Sequence, residues 1–277
     1  MNIRQLNSDL QKIALTELNE NLTKASDDLE YFRDWLQKQK HLTARLEIFK
    51  NRDPFLPEIQ RVLNAGIFYP LPHTPNAAGP RIIILNLSNA DVDETPSDVV
   101  TKVFFMTMDI LLNEDDNYIV AGFTLIGDYK NTPFNYFLQF TPDIIKKYIA
   151  CVTVAYPGRL QQYVGLNAPG VLEAFINSIV KPLLSEKLRK RIYVFNSNTI
   201  SKVKEVIDLS VLPKEFGGTN GSIQNAAETW KTKMESYRNW FLDDVNYGSN
   251  EKLRIGRSKS YNEHFGMEGT FRKLNVD

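Results

Sequence analysis

The sequence predicts an α/β protein whose sheet is mainly parallel, and three observations lead to that expectation. Short runs rich in β-branched and aromatic residues recur at 81–87 (RIIILNL), 118–128 (YIVAGFTLIGD), 163–168 (YVGLNA) and 191–196 (RIYVFN). Segments of helical length, at about 96–113, 141–156 and 169–184, separate these runs. A strand, a helix and a second strand make a crossover, and successive crossovers lay strands parallel with both faces covered. Thr141 can cap the second of these helices, and Pro142 suits its first helical position, where the missing N–H is no loss.

The flanking elements follow from local signals. Ser26 can act as a cap, Asp27 and Asp28 suit the positive end of a helix dipole, and Leu29, Phe32 and Leu36 share one face, which predicts a helix over 26–39. A shorter helix is expected at 47–49 or at 57–65. The stretch GIFYPLPHTPNAAGP (66–80) crowds proline and glycine together and reads as a boundary or an irregular connection. Ile223, Ala226, Ala227, Trp230, Met234, Tyr237 and Phe241 stand at helical spacing and predict a helix over 222–242 before a polar tail to Asp277.

Composition narrows the function. With 277 residues and 43% hydrophobic side chains the chain can bury a substantial core. Its 33 basic and 33 acidic residues cancel, so an anionic partner has to be met by a local cluster, and no nucleic-acid partner is expected. The single cysteine, Cys151, has no internal partner, and the N-terminal residues lack the apolar core of a secretory signal, which makes a cytoplasmic location the default. No run approaches the roughly 18 apolar residues of a spanning helix, so a membrane is expected to be met only peripherally.

Catalytic patterns are missing. His41, His73 and His264 lie far apart without metal-ligand spacing, and neither a nucleophile elbow nor a phosphate loop occurs. GGTNG (217–221) follows no clear strand and reads as a turn. Cys151 sits between Ala150 and Val152 in an apolar segment, where a thiol packs as a small hydrophobe. Asp91, Asp93, Glu94, Asp98, Asp109, Glu114, Asp115 and Asp116 cluster against Lys102 alone; paired-carboxylate chemistry is conceivable there, but a solvated acidic turn is the simpler reading. No catalytic residue, metal or cofactor is expected.

One stretch invites a functional reading. Val171, Leu172, Phe175, Ile176, Ile179, Val180, Leu183 and Leu184 make an apolar stripe wider than a helix with one buried face requires. Something apolar must meet it on two sides: either it is a helix sandwiched in the core, or it is a lid over an apolar cavity. Pro182 removes the bond to residue 178 and can kink its last turn. Lys181, Lys187, Arg189, Lys190 and Arg191 follow, offset only by Glu186; the helix dipole favours such a run, and so would a phosphate-binding patch. Phe104, Phe105, Met108, Leu111 and Leu112, then Ile144, Ile145, Tyr148, Val152 and Tyr156, can supply either core or cavity wall, and NTPFNYFLQFTP (131–142) adds four aromatic rings.

FRDWLQKQKHLTAR (32–45), FKNRDP (49–54), DILLNEDD (109–116), LQFTPDIIKK (138–147), AYPGRLQQYVGLNAP (155–169), KPLLSEKLRKRI (181–192), LPKEFGG (212–218) and YRNWFLDD (237–244) together resemble the CRAL-TRIO lipid-transfer family, in its alpha-tocopherol transfer protein-like branch. The resemblance implies a helical lobe (1–66, shortened here between Arg45 and Phe49), a lipid-binding α/β domain (67–248) with an apolar pocket on its sheet, and a tail (249–277). Residues 169–184 match a movable gate helix. The implied pocket comprises Phe104, Met108, Phe123, Phe140, Tyr148, Val152, Tyr156, Leu160, Phe175, Ile179, Val180 and Leu183. Arg159, Lys181, Lys187 and Arg191 match basic positions that meet phosphatidylinositol bisphosphate in that branch. Gln161 stands in place of a second arginine, and Asn131 in place of a glycine. The implied function is a non-enzymatic carrier that takes a tocopherol-, retinoid- or phospholipid-like molecule and exchanges it at phosphoinositide-bearing membranes. The alternative is a phosphoinositide-sensing adaptor with little cargo.

Overall fold

The computed structural model describes residues 5–21, 23–25, 27–29, 31, 51–141, 144–145, 148–149, 152 and 156–244. Five strands form one sheet in sequential order: β1 (Phe68–Pro70), β2 (Arg81–Asn86), β3 (Phe123–Asp128), β4 (Leu160–Leu166) and β5 (Ile192–Val194). β1 runs antiparallel to β2, and every other neighbouring pair is parallel. The helices whose ends lie among the described residues are α1 (Ser8–Glu17), α2 (Pro57–Asn64), α3 (Ser97–Glu114), α4 (Phe134–Phe137), α5 (Gly170–Phe175), α6 (Glu186–Arg189), α7 (Ile223–Ser236) and α8 (Arg238–Asp243). This is the mixed α/β architecture expected, and the parallel core follows from the crossovers through α3, α4 and α5.

Three strand expectations need correction. The 66–80 stretch contains β1 rather than only an irregular connection; β1 is an edge strand, where Pro70 removes no inner ladder bond. The 118–128 run is strand only from Phe123, because Asn117–Ala121 coils into a π-helical turn closed by Gly122. Gly122 has φ +85°, and a Cβ there would lie 2.1 Å from the Arg159 carbonyl oxygen, so only glycine fits. β4 begins earlier than expected, at Leu160.

Helix boundaries also differ. The 222–242 helix breaks at Tyr237 into α7 and α8, with Trp230, Met234 and Phe241 buried across the break. Ser222 caps α7, its side chain accepting from the Asn225 N–H at 3.2 Å. Of the helix expected over 26–39, residues 27–29 and 31 are helical and 32–39 lie outside the described residues, as do 47–49, Cys151, His41, His264 and the 249–277 tail. α1 has no counterpart among the expected elements. It buries Leu10 and Ala14 on Val120 and Ala121 of the π-helical turn, and Asn7 caps it.

Acidic residues of the 91–116 cluster serve structure. Arg52, whose side chain is 4% exposed, pairs with Asp109 of α3 and with Asp244 beyond α8; the Tyr156 hydroxyl donates to the second Asp109 oxygen at 2.6 Å. Arg81 pairs with Asp115, Lys233 with Glu114, and Asp91 accepts the N–H groups of Asp93 and Glu94. Residues 217–221 form the expected turn around buried Asn220, whose amide donates to the carbonyls of His73 and Val211. Asn131 adopts φ +59°, a left-handed conformation that asparagine tolerates better than most residues, at the position where the family resemblance places glycine.

Candidate functional site

A cavity of about 800 Å³ opens on one face of the sheet. Register partners in a sheet share a face, and Leu125, Tyr163 and Ile192 lie in one row across β3, β4 and β5. All three line the cavity, with Leu85 and Leu87 extending its floor across β2. α4 and the segment behind it supply Phe134, Phe137, Leu138, Phe140 and Thr141, followed by Ile145, Tyr148, Ile149 and Val152. A further part of the wall comes from Val171, Leu172, Phe175, Ile176, Val180, Leu184 and Leu188. Its volume and apolar walls suit a small hydrophobic molecule.

The stripe beginning at Gly170 is not a uniform helix. α5 ends at Phe175, a π-helical turn covers Ile176–Val180, and a 3-10 turn covers Lys181–Leu183. Pro182 has no N–H to give residue 178, and the hydrogen-bond pattern has already widened one turn before it. The stripe divides as its width requires: Leu172, Ile176 and Leu184 are buried, Phe175 and Val180 face the cavity, and Val171 and Leu183 are 44% and 41% exposed. Phe134 and Leu138 are 59% and 65% exposed and also line the cavity, so, with Val171, two separate segments give it exposed apolar lining.

Three cations also line the cavity: Arg159 just before β4, Lys187 on α6 and Arg191 just before β5. Arg191 donates from Nη1 to the Leu160 carbonyl, which fixes the two strand entries against each other. Arg159 is held differently, in an ion pair with Glu17 at the end of α1. Lys187 is exposed, while Lys181 sits on the 3-10 turn and is not among the residues that line the cavity. Gln161 donates its amide to the Ala121 carbonyl at 2.7 Å, pinning β4 to the π-helical turn instead of adding charge.

Of the residues the sequence points to, Phe140, Tyr148, Val152, Leu160, Phe175 and Val180 stand at the cavity. Phe104, Met108, Phe123, Tyr156, Ile179 and Leu183 do not. Phe104 packs on Phe68 and Phe105, Phe123 stacks on Tyr118, the Tyr118 hydroxyl lies against the Met108 sulfur, and Tyr156 packs on Phe105. The floor residues Leu85, Leu125, Tyr163 and Ile192 are absent from the sequence-based set. Strand alternation marks them as sharing a face, and only the packed structure tells which face is left open. Among the described residues no group of three His, Cys, Asp or Glu side chains could hold a metal ion, and no helix is long and apolar enough to cross a membrane.

Comparison with known proteins agrees with this geometry. A family model described as the CRAL/TRIO domain matches residues 65–218, more than half of the chain and the segment that carries all five strands. Clavesin-1 of Xenopus laevis is 29% identical over 193 residues, covering 70% of this chain and 57% of its own. Alpha-tocopherol transfer protein-like of Homo sapiens is 26% identical over 198 residues, covering 72% of this chain and 56% of its own. The chain thus spans little more than half the length of these curated relatives. The crystal structure of Sfh5 aligns over 89% of this chain and 83% of its own, at 15% identity and a TM-score of 0.42, too low a score to carry an argument. The match over 65–218 identifies the chain as a member of the CRAL/TRIO domain family.

Proposed function

We propose that this chain is a non-enzymatic carrier that holds one small hydrophobic molecule in the cavity on its sheet and exchanges it at membrane surfaces. The observation that supports this most is the cavity itself: about 800 Å³, walled by aliphatic and aromatic side chains, in a chain of a family associated with lipophilic ligands. A ligand burying about 400 Å² of apolar surface would gain on the order of 10 kcal/mol before the entropy of capture is subtracted. The relative's name makes a tocopherol one candidate cargo; retinoids and phospholipids are others.

Exchange requires an opening and a surface to open onto. The segment 170–183 is the proposed gate, since its hydrogen bonding changes type twice and Val171, like Phe134 and Leu138, lines the cavity while facing water. Those apolar side chains would enter a bilayer surface, while Lys187, Arg191, Lys181 and, once freed from Glu17, Arg159 would meet phosphatidylinositol bisphosphate. Such docking shifts the gate only to the extent that the open form contacts lipid better than the closed form does. Liposome transfer of a fluorescent tocopherol tests the docking step. Lys187→Glu, alone and with Lys181→Glu, is expected to slow transfer to phosphatidylinositol bisphosphate vesicles several-fold while leaving ligand retention intact. Equal transfer by parent and variants rules out the docking role.

A further inference from the structure

Among the described residues, apart from Thr141, Tyr148 and the three cations that precede β4 and β5, the cavity offers polar side chains at one place, on its floor: Tyr129, just beyond β3, and Tyr163 of β4 join their hydroxyls in a hydrogen bond. The register of the sheet explains how they meet. Leu125 lies opposite Tyr163, and Gly127 lies opposite Gly165. Residues two apart on a strand share a face, so Gly127 and Tyr129 on one strand and Tyr163 and Gly165 on the next all belong to the cavity face marked by Leu125. The paired glycines leave a dip in that face. A Cβ at Gly127 would stand 2.7 Å from the Tyr129 ring, and one at Gly165 would stand 3.5 Å from the Tyr163 ring and 3.6 Å from that of Tyr129. Tyr129 leans back over the dip, Tyr163 leans forward over it, and their hydroxyls meet.

Proton counting makes the pair a donor. Two facing hydroxyls carry two protons and share one between them, and among the described residues neither oxygen has another hydrogen-bond partner. One proton therefore points at no acceptor among the described residues. Burial holds both phenols in their protonated form, with Tyr129 pushed up to about 12 and Tyr163 pushed up as well. A desolvated donor without an acceptor is unfavourable, and an occupant that brings an acceptor relieves it.

We propose that the Tyr129–Tyr163 hydroxyl pair is the polar anchor of the cavity and selects an otherwise hydrocarbon ligand carrying one neutral acceptor oxygen: a hydroxyl, ether or ester carbonyl. Charged heads have a different place to go. Tyr163 stands three residues into β4 from Leu160, about 10 Å at the rise of a strand, so a carboxylate or phosphate is better met by the cations at the strand entries. This inference rests on the carrier reading and narrows it to a class of cargo.

The test is competition against the fluorescent methyl ester of cis-parinaric acid, using a long-chain alkyl methyl ether and the alkane in which a methylene replaces its oxygen. The parent protein is expected to prefer the ether by about fivefold, within the range one hydrogen bond supports. Tyr129→Phe leaves the Tyr163 hydroxyl in place and should keep the preference. The double variant Tyr129→Phe, Tyr163→Phe should bind both competitors equally, with the alkane unchanged. Equal competition by ether and alkane in the parent overturns the anchor and leaves the carrier standing, and so does a preference that survives in the double variant. Displacement by neither competitor overturns the carrier reading and the anchor together.

Discussion

Arg52 joins three distant parts of the chain, and replacing it should destabilise the whole described fold. Its guanidinium bridges Asp109 of α3 and Asp244 beyond α8, and also lies 5.3 Å from the centre of the Phe241 ring. The side chains are 4%, 17% and 12% exposed, so solvent screens the pairs only weakly. Arg52→Met keeps most of the packed volume and leaves two carboxylates facing each other without the cation. Removing one partner of a buried pair costs about 3–5 kcal/mol, and the partial exposure of the aspartates favours the lower end, about 3 kcal/mol. For a protein of this size that corresponds to roughly 6–12 °C in Tm. The assay is thermal and urea denaturation of delipidated protein, since bound ligand stabilises parent and variant unequally if affinity also changes. Adding Asp109→Asn and Asp244→Asn should restore about half of the loss, because neutral amides tolerate the site and the amide oxygen introduced at position 109 can still accept from the Tyr156 hydroxyl. A shift below about 2 °C, or no recovery in the triple variant, would refute the reasoning that a desolvated ion cluster ties the fold together.

Two further outcomes follow from charge and burial. Glu17→Gln releases the Arg159 guanidinium, so binding to phosphatidylinositol bisphosphate vesicles in cosedimentation should strengthen about two- to fivefold and lose that gain at high salt, as expected for exposed charges. Unchanged binding would mean that Arg159 does not reach the bilayer. Burial raises Tyr129 to about 12 from the ordinary 10 and pushes Tyr69, Tyr118, Tyr136, Tyr156 and Tyr163 up as well. The unfolded chain then releases phenolic protons above pH 10 while the native chain keeps them, so the phenols' contribution to stability is constant below pH 10 and is lost as pH rises from there through the native values, by about 1.4 kcal/mol per pH unit per tyrosine. Absorbance titration should show buried phenols ionising only with unfolding; a single transition near pH 10 in folded protein contradicts this.

Several features of the fold are legible because the residues that carry them are local. RIIILN announces β2 by β-branching alone, and Pro57 opens α2 where helix chemistry wants it. β1 is hidden because Pro70 and the glycines around it are turn residues, tolerated only because the strand lies on an edge. The π-helical turn at Asn117–Ala121 is hidden because an apolar run has no period that separates it from the strand it precedes. The cavity is half legible on the same logic. Phe175 and Val180 lie on a helical stripe, but Leu85, Leu125 and Ile192 require the sheet order before their common face acquires a meaning. The Tyr129–Tyr163 contact depends on Gly127 standing opposite Gly165, and the Arg159–Glu17 pair spans 142 residues of sequence. Neither relation exists until the chain is folded.

The most direct test of the carrier is organic extraction of the purified, natively folded protein followed by mass spectrometry, with native mass spectrometry of the same sample to count bound molecules. The structure predicts one lipophile per chain, carrying a neutral oxygen and lost from a variant whose cavity is filled by Leu125→Trp. An empty parent protein that still binds phosphoinositide vesicles would contradict the carrier and leave the adaptor.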